Sequence, residues 1–79
     1  MQTYVAWLKE YFARNGELPD GIEDQNYFEA GLIDSFGVIE LVESIEAEFG
    51  IRFREEHFQD RRFAVFRGLA EIIAELKRE

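Results

Sequence analysis

Between Ser35 and Gly50 the apolar residues Val38, Leu41, Val42, Ile45 and Phe49 recur at alternating three- and four-residue steps. That period places them on one side of an α-helix, turned toward a core. Asp34 is a side chain that caps helix starts and Gly50 is the residue type that ends helices, so a helix is predicted from Ser35 to Gly50. Phe36, Ile39, Glu40, Glu43 and Ala47 fall on the other side. Phe36 and Ile39 are thus apolar residues on an outward face among carboxylates, where a purely structural account has little use for them.

A first helix is expected from about Thr3, as N-cap, to Asn15, with Gly16 at its end. Val5, Leu8 and Phe12 make its core stripe, and Tyr4, Trp7 and Tyr11 form a second stripe beside it. Together they span about 160° of the wheel, broad for a small bundle. Residues 16–34 form a long connection with a turn signal at Pro19-Asp20-Gly21. The apolar side chains Leu18, Ile22, Tyr27, Phe28, Leu32 and Ile33 along it are expected to pin it to the helices. Ile51 and Phe53 alternate with Arg52 and Arg54, as in a short extended tie. A short helix near Asp60–Ala64 and a last helix from Phe66 to Lys77 complete the pattern, the last packing Phe66, Leu69, Ile73 and Leu76 inward with Ile72 at the edge. The class predicted is all-α: a small antiparallel bundle of three long helices and one short one, without a sheet, forming a single domain over 1–79.

Seventy-nine residues that are 47% hydrophobic can close one small core. The chain has no cysteine, which excludes a disulfide framework, a thiol nucleophile and a zinc cluster. No apolar run reaches the roughly 18 residues of a membrane span and no basic-then-apolar leader pattern is visible, so a soluble cytoplasmic protein is expected. The formal net charge is −8 and is unevenly placed: residues 1–60 carry −10 and residues 61–79 carry +2. The 37 residues from Asn15 to Ile51 contain no Lys or Arg, and ten carboxylates lie between Glu17 and Glu48. Such a surface opposes nucleic acid and steers basic partners toward itself. It also favours a monomer, whereas the width of the first helix's apolar arc argues for a homodimer through Tyr4, Trp7 and Tyr11.

Ser35, directly after Asp34 at the start of the acidic helix, is the residue that carries the chemistry. No base stands beside it in sequence, so it suits modification better than catalysis. The run Asn26-Tyr27-Phe28-Glu29-Ala30-Gly31-Leu32-Ile33-Asp34-Ser35-Phe36, followed by Val38-Ile39-Glu40-Leu41-Val42 and then Phe49-Gly50-Ile51, resembles the attachment region of acyl carrier proteins. The resemblance covers nearly the whole chain. It implies a non-enzymatic carrier whose 4′-phosphopantetheine arm, taken from coenzyme A by a phosphopantetheinyl transferase, is attached to Ser35. The arm would hold acyl or aminoacyl groups as thioesters, loaded by an activating ligase and consumed by downstream transferases of a specialised pathway. Asp34 would cap the helix and belong to the transferase's recognition surface. Phe36 and Ile39, ringed by Glu40, Glu43 and Glu46, would be the partner-docking surface. The alternative is an unmodified acidic helical module that uses the same face for protein interaction.

Within the family, Asp34-Ser35-Phe36-Gly37 and the stretch His57–Phe63 are more similar to stand-alone D-alanyl and aminoacyl carriers than to fatty-acid synthase carriers. Glu43 stands where the latter commonly have an exposed apolar residue, and Ala47 where they often have an acid. His57, the single histidine, is expected as a solvated or locally hydrogen-bonded side chain. Without a second histidine or any cysteine it cannot build a transition-metal site, and the carboxylates of residues 20–34 do not follow a calcium-loop spacing, so no metal site is expected.

Overall fold

The computed structural model describes residues 2–14 and 16–78. Among these, every regular element is helical. The elements are α1 (Gln2–Ala13), α2 (Ser35–Phe49), a single turn α3 (Glu55–Phe58) and α4 (Phe66–Arg78), with 3-10 turns at Ile22–Asp24 and Arg61–Ala64. The all-α class with three long helices therefore holds. Thr3 lies inside α1 rather than capping it, and Asn15, the expected last residue, lies outside the described residues. The short helix expected near Asp60–Ala64 is the second 3-10 turn, capped by Asp60, whose carboxylate accepts from the Arg62 N–H at 2.9 Å. The turn α3 is an addition to the sequence reading. It forms because His57 Nδ1 accepts the Arg54 N–H at 2.9 Å while Arg54 C=O accepts the His57 N–H at 3.0 Å, a reciprocal closure of one helical turn.

Aromatic contacts fix the helix directions. Tyr4 and Trp7, near the start of α1, pack their rings on Phe49 at the end of α2, with centroids 5.1 and 5.4 Å apart. Phe12, near the end of α1, meets Phe66 at the start of α4 at 4.9 Å. Lys77 Nζ, near the end of α4, donates to the Phe49 carbonyl at 3.1 Å. So α1 runs antiparallel to both α2 and α4, and those two run in the same direction. The segment 50–65 carries the chain back between them, with Ile51 buried and Arg52 and Arg54 exposed as the alternation predicts.

Burial departs from the predicted faces in three places. In α2 only Leu41 and Ile45 are fully buried, while Val38, Val42 and Phe49 are half-buried. Phe49 has Tyr4 and Trp7 as its cover in place of a deeper core. Ile72 is fully buried, because α4 is enclosed by α1 and by both 3-10 turns and so has no apolar edge on that side. In α1, Leu8 and Phe12 are buried, Val5 is half-buried, and Tyr4, Trp7 and Tyr11 pack against the core cluster. Tyr4, Trp7 and Tyr11 thus pack in part within the chain while each remains half-exposed.

The connection between α1 and α2 is pinned as its apolar spacing suggests. Ile22 N–H donates to the Pro19 carbonyl at 3.3 Å, with Gly21 at φ 74° in the third position, where a type II turn needs a glycine-tolerant conformation. Tyr27 is fully buried; its N–H donates to the Ala64 carbonyl at 3.0 Å and its hydroxyl donates to the Phe63 carbonyl. Burial alone pushes the Tyr27 phenol well above its ordinary range, so the hydroxyl stays a donor. One side chain thus fastens the connection to the second 3-10 turn. Tyr27→Phe keeps the ring and leaves that carbonyl without its donor, and should lower stability by about 1–2 kcal/mol in urea unfolding. An unchanged midpoint would show that water replaces the hydroxyl at no cost.

The second 3-10 turn is held on α4 by Arg62. Its guanidinium donates to Asp60 at 2.9 Å and to Glu75 at 2.6 and 3.1 Å, with Glu71 at 3.4 Å. These hydrogen bonds hold the Asp60 and Glu75 carboxyls below their usual range.

Candidate functional site

Ser35 is the first residue of α2 and is exposed. Asp34 caps the helix as predicted: its backbone is extended (φ −112°, ψ −176°) and its Oδ1 accepts the Gly37 N–H at 2.7 Å. The first helical hydrogen bond runs from Val38 N–H to the Asp34 carbonyl at 3.0 Å. The N–H groups of Ser35 and Phe36 belong to the opening turn, where a helix offers no carbonyl partner one turn back. With the positive end of the helix dipole they suit an anion held on the Ser35 hydroxyl. Gly37 completes the arrangement. A Cβ there would stand 2.7 Å from Ile33 Cγ1 and 3.2 Å from Asp34 Oδ1, so only glycine lets the Ile33 side chain and the capping carboxylate lie over the opening turn.

The loop before Ser35 is a built turn. Asn26 Oδ1 accepts the N–H groups of Phe28 and Glu29 at 2.9 and 3.1 Å, and the Gly31 N–H donates to the Phe28 carbonyl at 3.1 Å, with Gly31 at φ 75°. This holds Asn26–Gly31 in successive turns; Phe28 stacks on Tyr27 at 4.8 Å and remains partly exposed.

The predicted docking residues divide. Phe36 is 79% exposed and Ile39 59%, and Glu40 and Glu43 are exposed beside them on α2. Glu46 belongs elsewhere. It is half-buried, accepts the Phe53 N–H at 3.0 Å and pairs with Arg52 at 3.5 Å, so it ties the segment after α2 to the helix. Spacing alone could not separate Glu46 from Glu43, because the segment that engages it lies beyond the helix.

Two grooves flank the start of α2. One, lined by Tyr11, Phe12, Leu32 and Ile33, carries the carboxylates of Asp34 and Glu40. The other includes Ser35 itself and is formed by Phe28, Val38, Phe58, Phe63 and Ala64, with Asp60 as the only carboxylate among the described residues that line it. Phe28 and Phe58 are the site residues that the sequence reading did not single out. Their one signal was a pair of aromatic residues in turns too short to bury both sides. Among the described residues neither groove is lined by His, Lys or Cys, and His57 is engaged by the Arg54 N–H. The carboxylates of the two grooves include Asp34 and Asp60, which are bonded to the Gly37 N–H and to Arg62. Among the described residues no group of three or more His, Cys, Asp or Glu side chains could hold a metal ion, and no helix is long and apolar enough to cross a membrane.

The family model described as a phosphopantetheine attachment site matches residues 6–76. No curated protein and no solved structure gives a significant match to the chain.

Proposed function

This chain belongs to the phosphopantetheine-attachment family of carrier proteins, and from that premise we propose that Ser35 is the attachment residue. Members of the family are non-catalytic carriers of covalently bound 4′-phosphopantetheine, and they meet a phosphopantetheinyl transferase and biosynthetic enzymes. The observation that carries the assignment is an exposed serine hydroxyl at the capped start of α2. There, N–H groups without helical partners and the helix dipole favour a phosphodiester. In the transfer, Ser35 Oγ attacks the phosphorus bearing the pantetheine of coenzyme A. The P–O bond to the nucleotide breaks, adenosine 3′,5′-bisphosphate leaves, and the serine proton passes to the transferase's base. The arm supplies a terminal thiol, the nucleophile that this cysteine-free chain lacks.

In this reading the chain is one cytoplasmic carrier domain that presents acyl or aminoacyl thioesters to enzymes of a specialised pathway. The departures at Phe36, Glu43 and Ala47 from the fatty-acid synthase pattern support it. An activating ligase loads the thiol and downstream transferases unload it. The same acidic face would serve an unmodified interaction module. Intact mass after incubation with coenzyme A and a broad-specificity transferase separates the two, since only the carrier gains one phosphopantetheine.

Phe36 and Ile39, with Glu40 and Glu43, form the docking surface in this reading. Exposed charges act mainly on encounter rate and are screened within about 8–10 Å at physiological ionic strength. Reversing Glu40 and Glu43 to lysine should slow transferase loading roughly tenfold at low salt. Added salt should slow the unaltered chain and narrow that difference. Progress curves by mass spectrometry give both rates, and indifference to charge and salt would reject this face as the docking surface.

A further inference from the structure

The turn α3 is held by hydrogen bonds rather than by the core. None of its four residues is fully buried, and a helix this short is marginal on its own in water. It closes through a reciprocal pair: the Arg54 C=O accepts the His57 N–H at 3.0 Å, and His57 Nδ1 accepts the Arg54 N–H at 2.9 Å. Its rings lie against neighbours, His57 and Phe58 each meeting Phe53 at 6.0 Å and Phe58 meeting Phe63 at 5.3 Å. A ring nitrogen accepts a hydrogen bond only while it carries no proton. The fastener of α3 is therefore the one side-chain type whose ordinary charge change falls between about pH 5 and 8.

We infer that His57 is a proton-operated latch on α3: neutral, it closes the turn; protonated, it opens it. The geometry gives the sign. With a proton on Nδ1, two donors would face each other across 2.9 Å, so the imidazolium has to leave the Arg54 N–H. A positive charge in the last turn of a helix is ordinarily favoured by the dipole, but that dipole is a sum over aligned peptide units and α3 is a single turn. The charged groups around the ring are Arg54 and Glu56 on its own turn, Asp60 and Arg62 at the second 3-10 turn, and Glu75 on α4. Arg54 and Glu56 pair with each other at 3.8 Å. Asp60 and Glu75 offer a freed imidazolium two carboxylates to turn toward, and Arg62 holds both of them charged as the pH falls. Opening the turn takes Phe58 off Phe53 and Phe63, so the surface on that side of the molecule changes with pH.

The test is a titration of the unmodified full chain by nuclear magnetic resonance from about pH 8 to about pH 5, with the His57 ring C–H shift reporting protonation. The α-carbon shifts of residues 55–58 should lose most of their helical offset in step with that ring, while those of α1, α2 and α4 stay helical. Two variants separate the proton from the side chain. Glutamine at the third helical position closes the same box without titrating, so His57→Gln should keep residues 55–58 helical throughout. His57→Ala should leave them open at both ends of the range. Residues 55–58 that stay helical while His57 takes up its proton overturn the inference. So does a His57 that stays neutral down to about pH 5, a His57→Gln chain whose turn opens like the unaltered one, or a His57→Ala chain that keeps it closed. Because the chain is unmodified, none of these results bears on the assignment of Ser35.

Discussion

Substituting Ser35 by alanine should leave the chain at its unmodified mass after exposure to coenzyme A and a broad-specificity transferase, while the unaltered chain gains one phosphopantetheine. The effect is all or nothing because the bond in question forms to one oxygen atom. The control matters as much as the loss. Ser35 is exposed, and the cap on α2 comes from the Asp34 carboxylate rather than from the serine. Alanine is moreover the best helix former, so stability should change by no more than about 0.5 kcal/mol. Far-ultraviolet circular dichroism and the melting temperature should therefore match those of the unaltered chain. A modified alanine variant, or an unaltered chain that stays unmodified, would remove Ser35 from its proposed role. The other serine, Ser44, lies within α2 and is half-buried, so it offers no comparable hydroxyl.

The largest expected loss of stability lies far from that chemistry, at Gly68. By helix propensity alone, glycine at the third residue of α4 is a defect, and alanine should gain up to about 1 kcal/mol. The packing says the opposite. A Cβ at Gly68 would stand 2.3 Å from the Arg62 carbonyl oxygen, 2.6 Å from Arg62 Cα and 2.7 Å from Arg62 Cβ. Two of those atoms are backbone, so no rotamer change relieves the overlap, and the second 3-10 turn must lift from α4. Lifting it pulls on the Arg62 bonds to Glu71 and Glu75 and on the Tyr27 bonds to Phe63 and Ala64. Gly68→Ala should cost about 3 kcal/mol. For a domain of this size that is a large share of the total and a fall of roughly 15 °C in Tm. Thermal unfolding decides between the two arguments: a Tm unchanged or raised would mean that propensity prevails and the turn moves aside freely.

How much was legible in the sequence follows from the range over which each feature is decided. The helix α2, its Asp34 cap and its Gly50 end were readable because each depends on residues within one turn of the other: Asp34 reaches the Gly37 N–H, and Gly50 takes φ 66° and donates back to the Glu46 carbonyl at 2.9 Å. The exposed Phe36 and Ile39 were readable for the same reason, since helical phase alone turns them outward. The serine, the acidic field around it and the class of fold were therefore set by local pattern.

Tertiary structure decided what depends on which segment arrives from elsewhere. Glu46 and Glu43 lie three residues apart on one helix, yet only Glu46 meets the Phe53 N–H. Ile72 is buried rather than marginal because α1 and both 3-10 turns close around α4. Tyr4 and Trp7 meet Phe49, a contact between two helices that neither helix's own pattern announces. The groove beside Ser35 draws on four separate segments of the chain. A periodic pattern states which side of a helix avoids water, but not how much of the neighbouring chain will cover it. That quantity is fixed only when non-local segments pack at the density of a protein interior.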